Sequence, residues 1–220
     1  METSTKQRLL ETGMAMLLEH GYSDLGIQQV LTATSVPKGS FYHHFKSKQD
    51  FALQVVDLYM TIAHGGLDAC LGDKAVAPLT RVRSFFEATG ESYGREGYLG
   101  CLLGGLGQEL SGANEVFRSR IERCLQEISG RITSCLKEAI DRGDLRPDTD
   151  AAKLANLLVD CWEGAALRTR LLRDPAPLLA MLDFYFQSLM PADRSTQPAR
   201  EPKARSAPRQ RPRSKSKRSR

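Results

Sequence analysis

Between Asn114 and Arg142 the residues Phe117, Ile121, Cys124, Ile128, Ile132, Cys135 and Ala139 recur at steps of three and four, and Gly143 follows. That spacing lays one apolar stripe along an α-helix of about eight turns. A stripe of that length is stable only when other elements cover it. The neighbouring segments share the helical period. Ser4–His20 carries Leu9, Leu10, Met14 and Leu17 on one face and is expected to stop at Gly21; Ile27–Thr34 buries Ile27, Val30 and Leu31; Asp50–Leu71 makes a longer helix. Pro78–Ser92 follows with Val82, Phe85 and Phe86, then the glycine-broken stretch Gly94–Gly100 and a short helix over Cys101–Leu110. Beyond the long helix lie Asp148–Leu172 and Pro175–Met190. Alternating β-branched runs with Asn-Gly or Asp-Gly turns do not occur, so no hairpin is expected. The prediction is an all-α chain: a three-helix N-terminal unit over residues 1–50 and a helical bundle over 51–190.

The charge is unevenly placed. Residues 191–220 hold eleven Lys/Arg against Asp193 and Glu201, a net of +9; the whole chain carries +5, so residues 1–190 carry −4. Five of the ten prolines lie in the same segment. Such a composition cannot repay ordering entropy, and predicts a disordered basic tail. The pI near 9.0 therefore describes the tail, while the body is slightly acidic. Apolar runs such as Met14–Leu18 fall far short of the ~18 residues of a membrane span. Lys6, Arg8 and Glu11 interrupt the N-terminus before a secretory apolar stretch can develop. The five cysteines (Cys70, Cys101, Cys124, Cys135, Cys161) are odd in number and lack close pairs. They read as reduced thiols of a cytoplasmic protein without membrane contact, with neither a disulfide framework nor a zinc site, and no cofactor is implied.

Ser35-Val36-Pro37-Lys38-Gly39-Ser40 is too short for anything but a tight turn into another helix, on which Phe41 and Phe45 face the core. Two short helices joined this way, the second opening with small and polar side chains, form a helix-turn-helix over about residues 26–45. The second helix must approach base edges in the major groove. Pro37 suits the first helical position, Gly39 removes bulk, and Lys38 and Ser40 can donate to bases. Tyr42, His43, His44, Lys46 and Lys48 offer phosphate partners, and no acid intervenes between Val36 and Lys48. Gln28 on the preceding helix is a further candidate contact. His43 and His44 are adjacent and do not share a helical face, so they are not read as metal ligands.

The stretch GIQQVLTATSVPKGSFYHHF, Gly26 to Phe45, followed by Lys46-Ser47-Lys48, resembles the DNA-binding module of the TetR family of bacterial transcriptional regulators. The run from Val36 through Lys48 carries most of the likeness. The resemblance implies a homodimer on a palindromic double-stranded DNA operator, repression as the usual mode, and a small-molecule effector pocket in the C-terminal bundle. On the same ground Lys38, Gly39, Ser40, Tyr42, His44 and Lys48 match the family's DNA-contacting positions. Gly26 departs from it, standing where the family usually has a Thr or Ser cap.

In the second half, Gly97-Tyr98-Leu99-Gly100-Cys101-Leu102-Leu103-Gly104-Gly105-Leu106 is the most unusual segment. Cys101 is expected in the first turn of a short helix, where unpaired N–H groups favour a thiolate that an electrophile could attack. Gly-Cys-Leu at this place resembles the NemR/AcuR-like branch of the family, which responds to electrophiles or acrylate. Two readings stay open: a sensing thiol, or a small packing residue beside a non-covalent apolar ligand. Trp162, Tyr93, Tyr98, Phe85 and Phe86 are expected pocket walls, with Gln108, Glu163 and Arg168 as polar anchors and Arg168 as a partner for a carboxylate effector. A cysteine-nucleophile enzyme is the remote alternative; it lacks a base, because His20, His43, His44 and His64 all lie in the first 64 residues and only His64 could approach the bundle. No catalytic residue is assigned. The last two helices are apolar on most sides, as in Leu178, Leu179, Met181, Leu182, Phe184, Tyr185 and Phe186, and are expected to pair across a two-fold axis.

Overall fold

The computed structural model describes residues 4–189, and through them run α1 (Thr5–Asp24), α2 (Ile27–Thr34), α3 (Lys38–His44), α4 (Lys48–Leu71), α5 (Pro78–Arg95), α6 (Leu102–Leu110), α7 (Glu115–Asp141), α8 (Ala151–Leu172) and α9 (Ala176–Leu189). No strand occurs among the described residues, and none of these helices is long and apolar enough to cross a membrane. The basic segment 191–220 lies outside them.

Side-chain caps start most of the long helices. Ser4, Ser47, Asn114 and Asp150 each accept a first-turn backbone N–H. Gly26 has no side chain to offer; Gln29 compensates by accepting the Gly26 N–H at 2.8 Å. Pro37 is the residue before α3 and not its first, a shift of one position. The long run of α1 breaks at Gly21, as its sequence predicts: φ of +79° and ψ of −179° there are non-helical, a conformation that costs glycine little, and a short turn to Asp24 follows the kink. The kinked end is held from outside, because Glu109 of α6 accepts the N–H groups of Tyr22 at 2.7 Å and Ser23 at 2.6 Å.

Two apolar clusters fill the interior. One lies beneath α1–α3 and includes the start of α4, α6 and the first half of α7; Leu9, Phe41, Phe51, Leu106 and Phe117 belong to it. The other joins the end of α4 to α5, the rest of α7, α8 and α9. The α7 stripe is buried at six of its seven positions. The seventh, Ile128, packs with Cys101 and Leu125 against both clusters, so the two regions share a seam. Arg81, only 2% exposed, donates to the Leu71 carbonyl at 2.6 Å and to the Glu138 carboxylate at 2.5 Å, tying the end of α4 to α5 and α7.

The apolar surplus of the last helices divides by face. Leu178, Leu182, Tyr185 and Phe186 point inward and are buried. Leu157, Leu167, Leu171 and Leu172 of α8 and Leu179 and Phe184 of α9 are exposed, Phe184 by 77%.

Candidate functional site

Helices α2 and α3 are joined by a turn that Ser35 closes in the left-handed region, with φ of +55°. The Val36 N–H returns to the Leu31 carbonyl at 3.1 Å. Phe41 and Phe45 are buried, their rings 5.0 Å apart and both against Phe51, which fixes the roll of α3. The opposite face is left to solvent: Lys38, Gly39, Tyr42 and His43 are exposed, and Ser40 and His44 half-buried. Tyr42, at 49% exposure, is a large ring that the fold does not use. Nothing lies within 4 Å of a Cβ placed on Gly39, so no internal packing requires a glycine there. Space is kept on the outside. Gln28 is exposed on α2.

Lys48 stands apart from that group. Its ammonium donates to the Ser23 carbonyl at 3.2 Å and lies 4.6 Å from the centre of the Tyr22 ring, so it fastens α4 to the end of α1 instead of projecting freely. Lys6 of α1, not singled out in the sequence, is exposed with its ammonium 6.0 Å from the Phe45 ring. Asp50, the acid nearest this face, is committed to the Lys46 N–H at 2.8 Å and to Gln54, and these bonds hold its carboxyl below the usual range.

A cavity of about 230 Å³ opens within the bundle. Cys101, Tyr93 and Trp162, with Phe85 and Phe86, meet there as the sequence reading expects. Phe86 and Trp162 stack at 4.8 Å, and Tyr93 lies 5.9 Å from Trp162. Met14 brings α1 itself to the wall. Tyr59 was missed: it sits on α4, 42 positions from Cys101, yet its hydroxyl lies 3.5 Å from the Cys101 sulfur. No local pattern marks such a contact. Glu163, considered as an anchor, lines the cavity beside Cys101, and burial raises its carboxyl pKa.

Three expected wall residues lie elsewhere. Tyr98 adopts a φ of +60° in the loop after α5 and packs over Gly94. Arg168 is on the exposed face of α8, because the turn of the helix that points Trp162 and Ala166 inward points Arg168 out. Gln108 lines a second hollow, a polar cleft of about 270 Å³ between α1, α6 and α8. Arg170 in this cleft donates to the carbonyls of Leu18 (3.0 Å), Glu19 (3.2 Å) and Leu99 (3.0 Å), gripping the end of α1. His20, and not His64, is the histidine that shares a hollow with Cys101.

The thiolate expected at Cys101 is also corrected. Cys101 is the residue before α6, as a capping position requires, but burial and the neighbouring Glu163 charge push its thiol up to about 12. The Tyr59 hydroxyl and the Gly104 amide pull the other way without prevailing. Desolvation here outweighs the helix terminus. Cys101 and Glu163 belong to both hollows, forming the partition between the apolar cavity and the cleft that holds α1.

Comparison with known proteins identifies the frame that carries these two sites. Residues 9–55 match the tetR family of bacterial regulatory proteins, and residues 78–184 match the tetracyclin repressor-like C-terminal domain. The transcriptional regulator AcuR of Cereibacter sphaeroides is 39% identical over 173 residues, 78% of this chain and 79% of AcuR. The crystal structure of a regulatory protein TetR from Rhodobacter sphaeroides superposes with a TM-score of 0.79 at 38% identity, covering 82% of this chain and 96% of that one. The reduced form of Escherichia coli NemR superposes with a TM-score of 0.76 at 25% identity, covering 86% and 98%. An exposed recognition helix on a matching N-terminal unit, and a cavity inside a matching repressor-like bundle, place this chain in the TetR family of DNA-binding transcriptional regulators, in the branch that includes AcuR and NemR.

Proposed function

We propose that this regulator binds a palindromic operator as a homodimer, represses transcription there, and lets go when a small molecule occupies the bundle cavity. One observation carries the reading: Cys101 and Glu163 form a partition common to the cavity and to the cleft in which Arg170 grips α1. A ligand that shifts this partition, or Met14 beside it, alters the seating of the DNA-reading unit. The exposed Leu171, Leu172 and Phe184 support the dimer. Two-fold pairing of α8 and α9 covers them and sets the two α3 helices about one DNA turn, ~34 Å, apart. Lys38, Gly39, Ser40, Tyr42 and His43 then face the major groove, with Gln28, His44 and Lys6 beside them. The protein acts in the cytoplasm and performs no catalysis in this reading.

The effector is proposed to be a small electrophile; a small carboxylate loses its expected anchor, since Arg168 does not line the cavity. The raised thiol favours one rival, a non-covalent apolar ligand with Cys101 as packing. Binding of the full chain to DNA from around its own gene tests the scheme, repeated with Cys101→Ser and with acrylamide. Sequence-selective binding, released in the wild type and retained in Cys101→Ser, is the expected outcome. Release in both proteins establishes the rival, and absence of any sequence preference refutes the regulator scheme for this operator.

A further inference from the structure

Glu163 stands in the cavity wall without a counter-charge. Among the described residues no Lys, Arg or His shares that lining. Glu163 also borders the polar cleft, but the two bases there are engaged elsewhere: Arg170 with the carbonyls of Leu18, Glu19 and Leu99, and His20 with Glu19 at 3.5 Å. Burial of the unpaired group raises its carboxyl pKa. The carboxylate fits in this place because residue 104 is glycine; a Cβ there would overlap the Glu163 Oε2.

The rest of the wall suits a positive charge carried on an apolar body. Tyr59, Phe86, Tyr93 and Trp162 bring four aromatic rings to the lining, and ring faces attract cations. Burial keeps both tyrosine hydroxyls protonated, so neither opposes a cation or adds a charge of its own. Ile62, Ala88 and Glu96 line the cavity and are exposed, which puts its mouth between α4 and α5 and places a second acid there. A buried charge without a partner is costly, and a ligand that supplies the partner recovers part of that cost. We infer that the cavity is a binding site for small organic ammonium ions with an apolar group, the ammonium pairing with the Glu163 carboxylate and the apolar group lying against Phe86 and Trp162. The association is reversible and forms no covalent bond. Glu96 at the mouth draws cations toward the opening and turns anions away. An apolar hollow of about 150 Å³ already holds benzene, so the 230 Å³ here leaves room for one phenyl ring and a short aminoalkyl chain. This ligand class goes beyond the electrophile of the release scheme and needs no reaction at Cys101.

Trp162 is the chain's one tryptophan, so its fluorescence reports on the cavity directly. The full-length protein is titrated at neutral pH with 2-phenylethylamine, 2-phenylethanol and phenylacetate, which share a ring and differ mainly in charge. The amine is expected to bind at least about tenfold more tightly than the alcohol, the lower end for a hydrogen bond to a charged group, and phenylacetate more weakly than either. Glu163→Gln is expected to bring the preference for amine over alcohol below about twofold. Gly104→Ala, which displaces the carboxylate and keeps its charge, is expected to lower the preference as well, and replaces Glu163→Gln if circular dichroism shows that variant unfolded. Equal wild-type affinity for amine and alcohol overturns the inference, as does failure of the amine to bind or a preference unchanged in a folded variant. Binding is read without DNA and so fails separately from the release scheme: amine binding that leaves operator affinity unchanged supports the site and counts against release.

Discussion

In residues 26–48 the groups that face outward and the groups that hold them in place are close neighbours in sequence, whereas the cavity collects Tyr59, Tyr93, Leu125 and Trp162 from four helices and Cys101 from the residue before a fifth. Phe41 and Phe45 anchor α3 from inside while Lys38, Tyr42 and His43 leave it from outside, and a single helical turn relates the two sets. The cavity has no such local rule. Its shape depends on how α4, α5, α7 and α8 cross, and its chemistry on a sulfur and a carboxylate 62 positions apart. A motif that reads a rigid external lattice can be written in one segment; a hollow proposed to change when filled is assembled from elements that can move against one another.

That contrast can be broken at several points. The largest effect is expected on the α8–α9 face proposed to pair two copies of the chain. Phe184→Glu combined with Leu171→Glu should convert the protein to a monomer by light scattering and weaken operator binding by about 10²–10⁴-fold, the loss of linked half-sites. A dimer that survives both charges would relocate the interface.

Next comes the recognition helix. Lys38→Ala should cost about 1–3 kcal/mol of operator binding and relax base preference. Lys48→Ala should have a smaller effect on DNA and act mainly on stability, because that ammonium is engaged with Ser23 and Tyr22. Reversed rankings in a fluorescence-anisotropy titration would mean that Lys48 leaves its intramolecular site on DNA.

The α1–α6 tie is a smaller contribution with a definite pH signature. Burial pushes the Glu109 carboxyl up, but its hydrogen bonds from Ser23 and Tyr22 and the nearby Lys48 charge prevail and lower it. A carboxyl lowered on folding adds stability above its unfolded value near 4.5 and loses it as pH falls through the lowered folded value. Glu109→Gln should therefore reduce stability by about 1 kcal/mol at neutral pH, a modest figure for an exposed group. Its difference from wild type in urea melts should vanish in acid.

The smallest expected change follows deletion of residues 191–220. Their +9 charge predicts sequence-independent phosphate attraction. The shortened chain should keep its sequence preference, with lower affinity and a shallower salt dependence in the same titration. Loss of all binding would make the tail the reader.

The fold was largely legible because its helices are individually amphipathic. The α7 stripe and the turn at Val36–Ser40 each follow from spacing alone. The break at Gly21 was legible, but the turn beyond it was not, since Glu109, 87 positions after Tyr22, accepts its backbone N–H. Arg168 and Arg170 show the same limit within one helix. Both are cations near the end of α8, and only the packed orientation puts Arg168 outside and Arg170 onto the α1 carbonyls. The protonation of Cys101 was misjudged for a related reason: helix-terminus chemistry is visible in sequence, while the burial that overrides it is not.

The central claim is that cavity and DNA-reading unit communicate through the α1–α6–α8 seam. Operator affinity of wild type and Arg170→Ala, each measured before and after acrylamide treatment, tests it most directly. The account predicts that treatment weakens wild-type binding at least about fivefold, a coupling near 1 kcal/mol, and that the difference shrinks below about twofold in Arg170→Ala. A variant that keeps the full wild-type difference would contradict it.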